Sequence, residues 1–238
     1  MKARVLIEGI VAALMLVLAA PVLLGIAVAV RLSMGRPVIF SQIRSGLHRH
    51  PYALRKFRTM TDALDGNGQL LPDDLRTTRV GAFLRRSRLD ELPELWNIVK
   101  GEMSFIGPRP LLPPTIAVMQ DKGERRCSVR PGLTGWAQTK GGQLLSLSEK
   151  LDLDLWYIDH ASLRLDAVIL WRTLLVVLLG DRRSYAPSSM NMQASTEDRR
   201  YATPTGLSSG RAGDSAARDI AEPEEEEPMA RERAAGRR

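Results

Sequence analysis

The feature that most constrains this chain is an uncharged stretch from Ile10 to Val30, 21 residues long. At ~1.5 Å per residue in a helix it covers about 30 Å, the thickness of a bilayer's hydrocarbon core. It is long for the apolar part of a cleaved signal, and Arg31 and Arg36 follow it without a small-residue cleavage site. Membrane attachment is therefore expected. Its form is less constrained. Pro21 sits near the middle, where it removes a backbone hydrogen bond and bends a helix. Lys2 and Arg4 precede the stretch as Arg31 and Arg36 follow it, and cations favour the cytoplasmic side. A segment basic at both ends suits entry, a turn at Pro21 and exit on the same face. A single-pass anchor with a proline kink is the other reading these residues allow.

Charge narrows the partners. Lys and Arg number 34 against 27 Asp and Glu, a net +7. Residues 184–238 hold 8 basic and 10 acidic residues, so residues 1–183 carry +9. That basic body points to phosphate, nucleic acid or anionic lipid. With aromatics at only 5%, the aromatic-studded basic patch typical of nucleic-acid binding is missing. The single cysteine, Cys127, excludes an internal disulfide and disfavours a cysteine-built zinc site. His48, His50 and His160 are too scattered to form a metal centre.

Beyond the membrane segment, Pro37 to Met60 alternates around Gly46 and predicts a short hairpin. Residues 63–72 read as a loop, and Leu75 to Lys100 has helical spacing with a boundary near Leu89 to Pro93. Gly101 to Pro114, rich in glycine and proline, cannot be a regular element throughout, Leu112 to Arg126 reads as a helix, and Arg130 to Gly142, with four glycines, as a loop. Ser146-x-x-Glu149 is a capping box opening a helix to Ile158. Ala167 to Leu179 is too short to span a bilayer and is expected to lie in the membrane interface or pack on the core. From Ser184 the chain is rich in Ser, Arg, Gly and Glu, with an acidic run from Glu222 to Glu227, and is expected to be a disordered tail.

Four constellations could carry chemistry. Asp90-Glu91 follows Arg85, Arg86 and Arg88, arginines expected to keep both carboxylates ionised and to attract phosphate. One carboxylate could bind a metal while its neighbour attacks; a solvated helix face would show the same run. Pro108-Arg109-Pro110 fixes an arginine with little backbone freedom, suited to clamping a phosphate or simply to a rigid turn. Arg130-Pro131-Gly132-Leu133-Thr134-Gly135 could cradle a diphosphate through backbone N–H groups, although it lacks the Lys-Ser/Thr ending of a Walker loop. Lys56-Phe57-Arg58 places two cations on one side of a strand.

In this order the pieces resemble a known family. They are Pro37-Val38-Ile39-Phe40 with Gln42, Lys56-Phe57-Arg58-Thr59-Met60, Leu89-Asp90-Glu91-Leu92-Pro93-Glu94-Leu95 with Asn97, and Gly101-Glu102-Met103-Ser104 through Gly107-Pro108-Arg109-Pro110. Arg130 to Gly135 and Leu153-Asp154-Leu155-Trp156-Tyr157 complete the set. Over Lys2 to Gly180 the chain resembles the small form of the monotopic phosphoglycosyl transferases, the bacterial sugar transferases. The resemblance implies an α+β, mostly helical fold. It would comprise a re-entrant helix-break-helix over residues 1–36, a small cytosolic catalytic domain over 37–183 with a short β-hairpin and interfacial amphipathic helices, and the tail over 184–238. It implies transfer of a sugar 1-phosphate from a UDP-sugar to undecaprenyl or another polyprenyl phosphate, releasing UMP through a covalent aspartyl intermediate. The enzyme would work with Mg²⁺ at the cytoplasmic face of the bacterial inner membrane. Such a reaction opens the assembly of exopolysaccharide, capsule, O-antigen or glycoprotein glycans and hands its product to downstream glycosyltransferases.

Carried onto this chain, the resemblance makes Asp90 the nucleophile and Glu91 the Mg²⁺ ligand. Lys56, Arg85, Pro108 and Arg109 become phosphate-handling residues, and Arg130, Gly132 and Thr134 frame the nucleotide. Three residues depart from the pattern: Ala20 where Ser is common before the membrane proline, Arg88 where Ser is common, and Glu94 where Gln is common. An inactive membrane scaffold or regulator of a glycan pathway is the alternative.

Overall fold

The computed structural model describes residues 2–179, so the expected tail lies outside the described residues. A long helix, α1 (Lys2–Met34), runs continuously through Pro21, so the expected helix-break-helix is corrected to one helix, and it is long and apolar enough to cross a membrane. The expected hairpin follows: β1 (Ile39–Ser45) pairs antiparallel with β2 (Pro51–Phe57), Ile39 opposite Phe57 and Ser45 opposite Pro51. The predicted helical run from Leu75 is divided. It contains α2 (Asp73–Arg76), α3 (Arg79–Ser87), a 3₁₀ turn over Leu89–Glu94 and α4 (Leu95–Val99). Arg88, at φ 59°, is the left-handed residue that ends α3, so the boundary falls just ahead of the expected one and Pro93 sits inside the 3₁₀ turn.

Downstream, β3 (Ser104–Ile106) leads to α5 (Pro113–Val118) and α6 (Gln120–Arg126), then to β4 (Gly132–Thr134), α7 (Trp136–Lys140), α8 (Leu147–His160) and α9 (Leu163–Leu179). Two expectations need correction. Arg130 to Gly142 is not a loop throughout, because β4 pairs in parallel with β3, Ser104 opposite Gly132 and Ile106 opposite Thr134, while Gly101 to Pro114 is regular only in part, as expected. The glycines permit it: a side chain on Gly132 would lie 2.1 Å from the amide nitrogen of Gly107, so the backbones meet only where both residues lack one. The expected single helix over Leu112 to Arg126 is interrupted at Gln120, whose φ is 51°. The α8 capping box forms as its residues predict, with Glu149 N–H donating to Ser146 Oγ at 3.2 Å and Ser146 N–H to Glu149 Oε2 at 2.8 Å.

The apolar core is assembled on α1. Ala12 is buried with Tyr52, Leu54, Leu95, Ile98 and Met103, and Ile26 and Val30 with Phe57 and Leu84. The hairpin and α3–α4 therefore meet against two stretches of the same helix. A further cluster joins Ile106, Tyr157 and Ile169, seating α8 and α9 on β3. Between α6 and α8 the connection is ionic. Arg126 Nε donates to Asp154 Oδ2 at 2.9 Å, and both side chains are almost wholly buried. Close approach governs the other side: a side chain on Gly81 would fall 1.9 Å from the carbonyl oxygen of Thr59, so α3 rests directly on the chain leaving β2.

Gly81→Ala is expected to lower stability by about 1–3 kcal/mol through this collision. Asp154→Ala, which strands a buried guanidinium, is expected to remove about 3–5 kcal/mol. Thermal unfolding of the detergent-solubilised variants checks both.

Candidate active site

The left-handed turn at Arg88 and the tight 3₁₀ turn after it direct two successive carboxylates inward, so that Asp90 and Glu91 are both buried. A 3₁₀ turn has three residues per turn, which separates neighbouring side chains by about 120° and gives the two groups different surroundings.

Glu91 is gripped. Its Oε1 accepts from Lys56 Nζ at 3.1 Å and from Arg109 Nη2 at 2.7 Å, while Arg88 Nη1 lies 3.6 Å from Oε2. Burial alone would raise this carboxyl's pKa, yet Arg109, Lys56 and Arg88 together pull it below the usual carboxylate range. Asp90 differs. No side-chain hydrogen bond or ion pair reaches it among the described residues. Burial first, then the charge of Glu91, raises its pKa, while Lys56 and Arg85 oppose the shift. Of the upstream arginines, Arg88 helps to lower the Glu91 pKa, while Arg85 opposes the rise at Asp90 without cancelling it. Arg88 reaches Glu91, whereas Arg85 Nε donates to Thr59 Oγ1 at 3.0 Å.

Glu94 brings a third carboxylate that the sequence reading noted only as a departure. It is buried, and its Oε1 lies 3.0 Å from Lys56 Nζ, so one ammonium bridges Glu91 and Glu94. Burial, reinforced by Glu91, raises its pKa against the pull of Lys56.

Arg109 is held by its backbone. Gly132 N–H donates to Pro108 O at 2.9 Å, Arg126 Nη2 to Arg109 O at 2.5 Å, and Arg44 Nη1 to Pro110 O at 3.4 Å. The two prolines fix φ, these three bonds fix the carbonyls, and the side chain is left to reach Glu91. The buried Arg126–Asp154 pair thus extends its influence to the guanidinium that touches the dyad. Asn97 performs the matching task on the other side: Nδ2 donates to Ala53 O at 2.8 Å and Oδ1 accepts from Arg55 N–H at 3.3 Å, tying α4 to β2 and so placing Lys56.

The structure brings together Asp90, Glu91, Lys56 and Arg109, with Arg85 close enough to act on Asp90 through its charge. It directs Arg130, Gly132 and Thr134 elsewhere. Arg130 Nη2 lies 3.7 Å from Glu8 Oε2, the Gly132 amide is spent on Pro108, and Thr134 Oγ1 shares a 2.7 Å hydrogen bond with Thr173. Pro108 is buried beneath the arginine it positions. The supporting residues Thr59, Arg126 and Glu8 were not singled out in the sequence, because each acts on a partner far along the chain.

For a metal, the donor set suits Mg²⁺, which takes one or two carboxylates and completes its shell with water and substrate phosphate. Glu91 Oε2, with only the long Arg88 contact, is the oxygen with room for it. Among the described residues no group of three or more His, Cys, Asp or Glu side chains forms an all-protein cage.

Comparison with known proteins places this arrangement. The family model for bacterial sugar transferase matches residues 2–180. The chain is 48% identical over 152 residues to the Bacillus subtilis (strain 168) sugar transferase EpsL, covering 64% of this chain and 75% of that protein. It is 39% identical over 180 residues to the UDP-glucose:undecaprenyl-phosphate glucose-1-phosphate transferase of Klebsiella pneumoniae, covering 69% of this chain and 38% of that one. It is 37% identical over 172 residues to the UDP-N-acetylgalactosamine-undecaprenyl-phosphate N-acetylgalactosaminephosphotransferase of Aeromonas hydrophila, covering 67% of this chain and 40% of that protein. The chain thus spans only about two-fifths of the length of these last two relatives. With the match running from the start of α1 to the end of α9, the chain belongs to the bacterial sugar transferase family.

Proposed function

We propose that this protein transfers a sugar 1-phosphate from a UDP-sugar to a polyprenyl phosphate, undecaprenyl phosphate in bacteria, and releases UMP. The observation that carries the reading is the asymmetry of the dyad: Asp90 is buried with no side-chain partner among the described residues, beside Glu91, which Lys56, Arg88 and Arg109 surround. The names of the Klebsiella and Aeromonas relatives give the same classes of donor and acceptor. In the proposed reaction an ionised Asp90 oxygen attacks the β-phosphorus of the donor. A new P–O bond forms, the bond to the α–β bridging oxygen breaks, and UMP departs with that electron pair. The acceptor's phosphate oxygen then attacks the same phosphorus, the aspartyl–phosphate bond breaks, and the carboxylate is regenerated beside a lipid-linked diphospho-sugar. A carboxylate approaching an anionic diphosphate is repelled; Lys56, Arg85 and Arg109 offset that repulsion, Arg109 from a fixed position. Glu91 would hold Mg²⁺, which when bound neutralises diphosphate charge. The product is the substrate on which further glycosyl transfers build a surface glycan.

At ~1.5 Å per residue α1 is about 50 Å long, and both of its ends contact one domain. Arg4 Nη2 lies 3.0 Å from Asp166 Oδ2 and Ser104 Oγ donates to Glu8 Oε1 at 2.7 Å, while Arg58 Nη1 donates to Met34 O at 3.4 Å and to Arg36 O at 2.9 Å. Between them Val17 and Leu18, just ahead of Pro21, are 70% and 71% exposed. A helix that crossed to the far side could not keep both ends on one domain. It supports a re-entrant α1 dipping into the inner membrane from the cytoplasmic face. Trp171 and Leu174, exposed on α9, suit the interface beside it.

UMP release by detergent-solubilised protein, given undecaprenyl phosphate, Mg²⁺ and a panel of UDP-sugars, tests the reaction. Asp90→Asn is expected to remain folded and to lose at least about 10³-fold in turnover; full activity would sink the nucleophile assignment, whereas no release from any donor by the folded parent protein would favour a scaffold. Arg109→Ala is expected to lower kcat by about 10²-fold, and EDTA to stop turnover until Mg²⁺ is restored. With Cys127→Ser as background, Lys2→Cys and Ser33→Cys should each react with an impermeant maleimide from the cytoplasmic side only; labelling from opposite sides would refute the re-entrant reading.

A further inference from the structure

A groove of about 520 Å³ runs beside the first turns of α1, and the site described above uses none of it. Lys2, Leu6, Ile10 and Ala13 form its helical wall, at the three- and four-residue spacing of one face, and Val99 and Lys100 at the end of α4 form the other. Gly9 leaves the floor open.

The groove has a polarity. A side chain on Gly101 would meet Val5 Cγ1 at 3.4 Å, one on Gly9 would lie 3.7 Å from Val99 O, and Ala12 packs with Leu95 and Ile98. The turn after α4 is therefore level with the first residues of α1, and earlier α4 residues are level with later α1 residues. Both lysines stand at one end, and the other end is apolar. Lys2 is exposed and has no carboxylate partner among the described residues. Lys100 pairs with Glu102, which leaves ammonium protons free to donate. Leu6 and Ile10, 66% and 61% exposed, continue the apolar wall towards the middle of the membrane segment.

We infer that this groove binds an anionic phospholipid of the surrounding bilayer, its phosphate between Lys2 and Lys100 and an acyl chain along Leu6, Ile10 and Ala13. Cations at one end and apolar wall beyond match the two halves of such a lipid, in the order that a helix entering the bilayer from its N-terminus requires. A transferase acceptor must deliver its phosphate to Asp90. The groove shares no residue with the cluster of Asp90, Glu91, Glu94, Lys56 and Arg109, which favours a resident bilayer lipid over the substrate. The inference rests on the re-entrant placement of α1 and not on the transfer reaction.

Native mass spectrometry of the full chain in neutral detergent tests it, by titration with phosphatidylglycerol, phosphatidylethanolamine and undecaprenyl phosphate. One phosphatidylglycerol per chain should be retained in preference to phosphatidylethanolamine. The Lys2→Glu/Lys100→Glu double variant should weaken that binding by about tenfold or more, and Gly9→Leu, which fills the floor, should abolish it with thermal unfolding unchanged. Equal retention of the two phospholipids, or phosphatidylglycerol binding unaltered by the charge reversal, overturns the proposal. So does one-for-one displacement by undecaprenyl phosphate, which would make the groove the acceptor's. A protein that binds phosphatidylglycerol as expected yet releases no UMP would overturn the transferase reading alone.

Discussion

The site depends on the ionised Glu91 carboxylate and the cations drawn onto it. A buried charge is tolerable only when paired, and here the pairing takes Lys56 from the hairpin, Arg88 from the turn after α3 and Arg109 from the proline-flanked segment. Three elements distant in sequence converge on two oxygens. The same convergence leaves Asp90 next to positive charge without a side-chain partner among the described residues, so the pKa values of the two adjacent carboxylates move in opposite directions. Glu94 extends the pattern by sharing the Lys56 ammonium, so the single lysine faces two buried anions.

Behind that cluster lies a second tier that is wholly structural. The Pro108 to Pro110 carbonyls are met by Gly132, Arg126 and Arg44, and Arg126 is in turn neutralised by Asp154. Parallel pairing of β3 with β4 keeps Gly132 in register with that task. The Arg130 to Gly135 segment thus has its main hydrogen bonds engaged in supporting the arginine.

Local chemistry was legible in the sequence where a few neighbouring residues determine it. Ser146 and Glu149 specify a capped helix by themselves, and alternation around Gly46 specifies the hairpin. The Asp90-Glu91 pair and the Pro108-Arg109-Pro110 segment stood out because their residue types and spacing are unusual. Hidden features were those that need a distant partner. Gly132 reads as a loop residue until Gly107 is brought against it, and Asp154 as a helix-face charge until Arg126 meets it. Glu8 lies just ahead of the uncharged stretch and shows no purpose in sequence; it accepts from Ser104, 96 residues away, and lies near Arg130. The differing pKa directions of Asp90 and Glu91 were equally invisible, because burial and the direction of each cation are properties of the assembled fold.

The way α1 serves as scaffold has a consequence for biogenesis. Ala12, Ile26 and Val30 each complete an apolar cluster whose other buried members come from the hairpin, α3, α4 and Met103. Residues synthesised after Met34 therefore lack the surface on which Leu84, Leu95 and Ile98 are buried until the first helix is in place. A chain that lost α1 would therefore expose the apolar faces of the hairpin, α3 and α4 that carry the reactive cluster, so the helix that makes the protein apolar is also what closes its core.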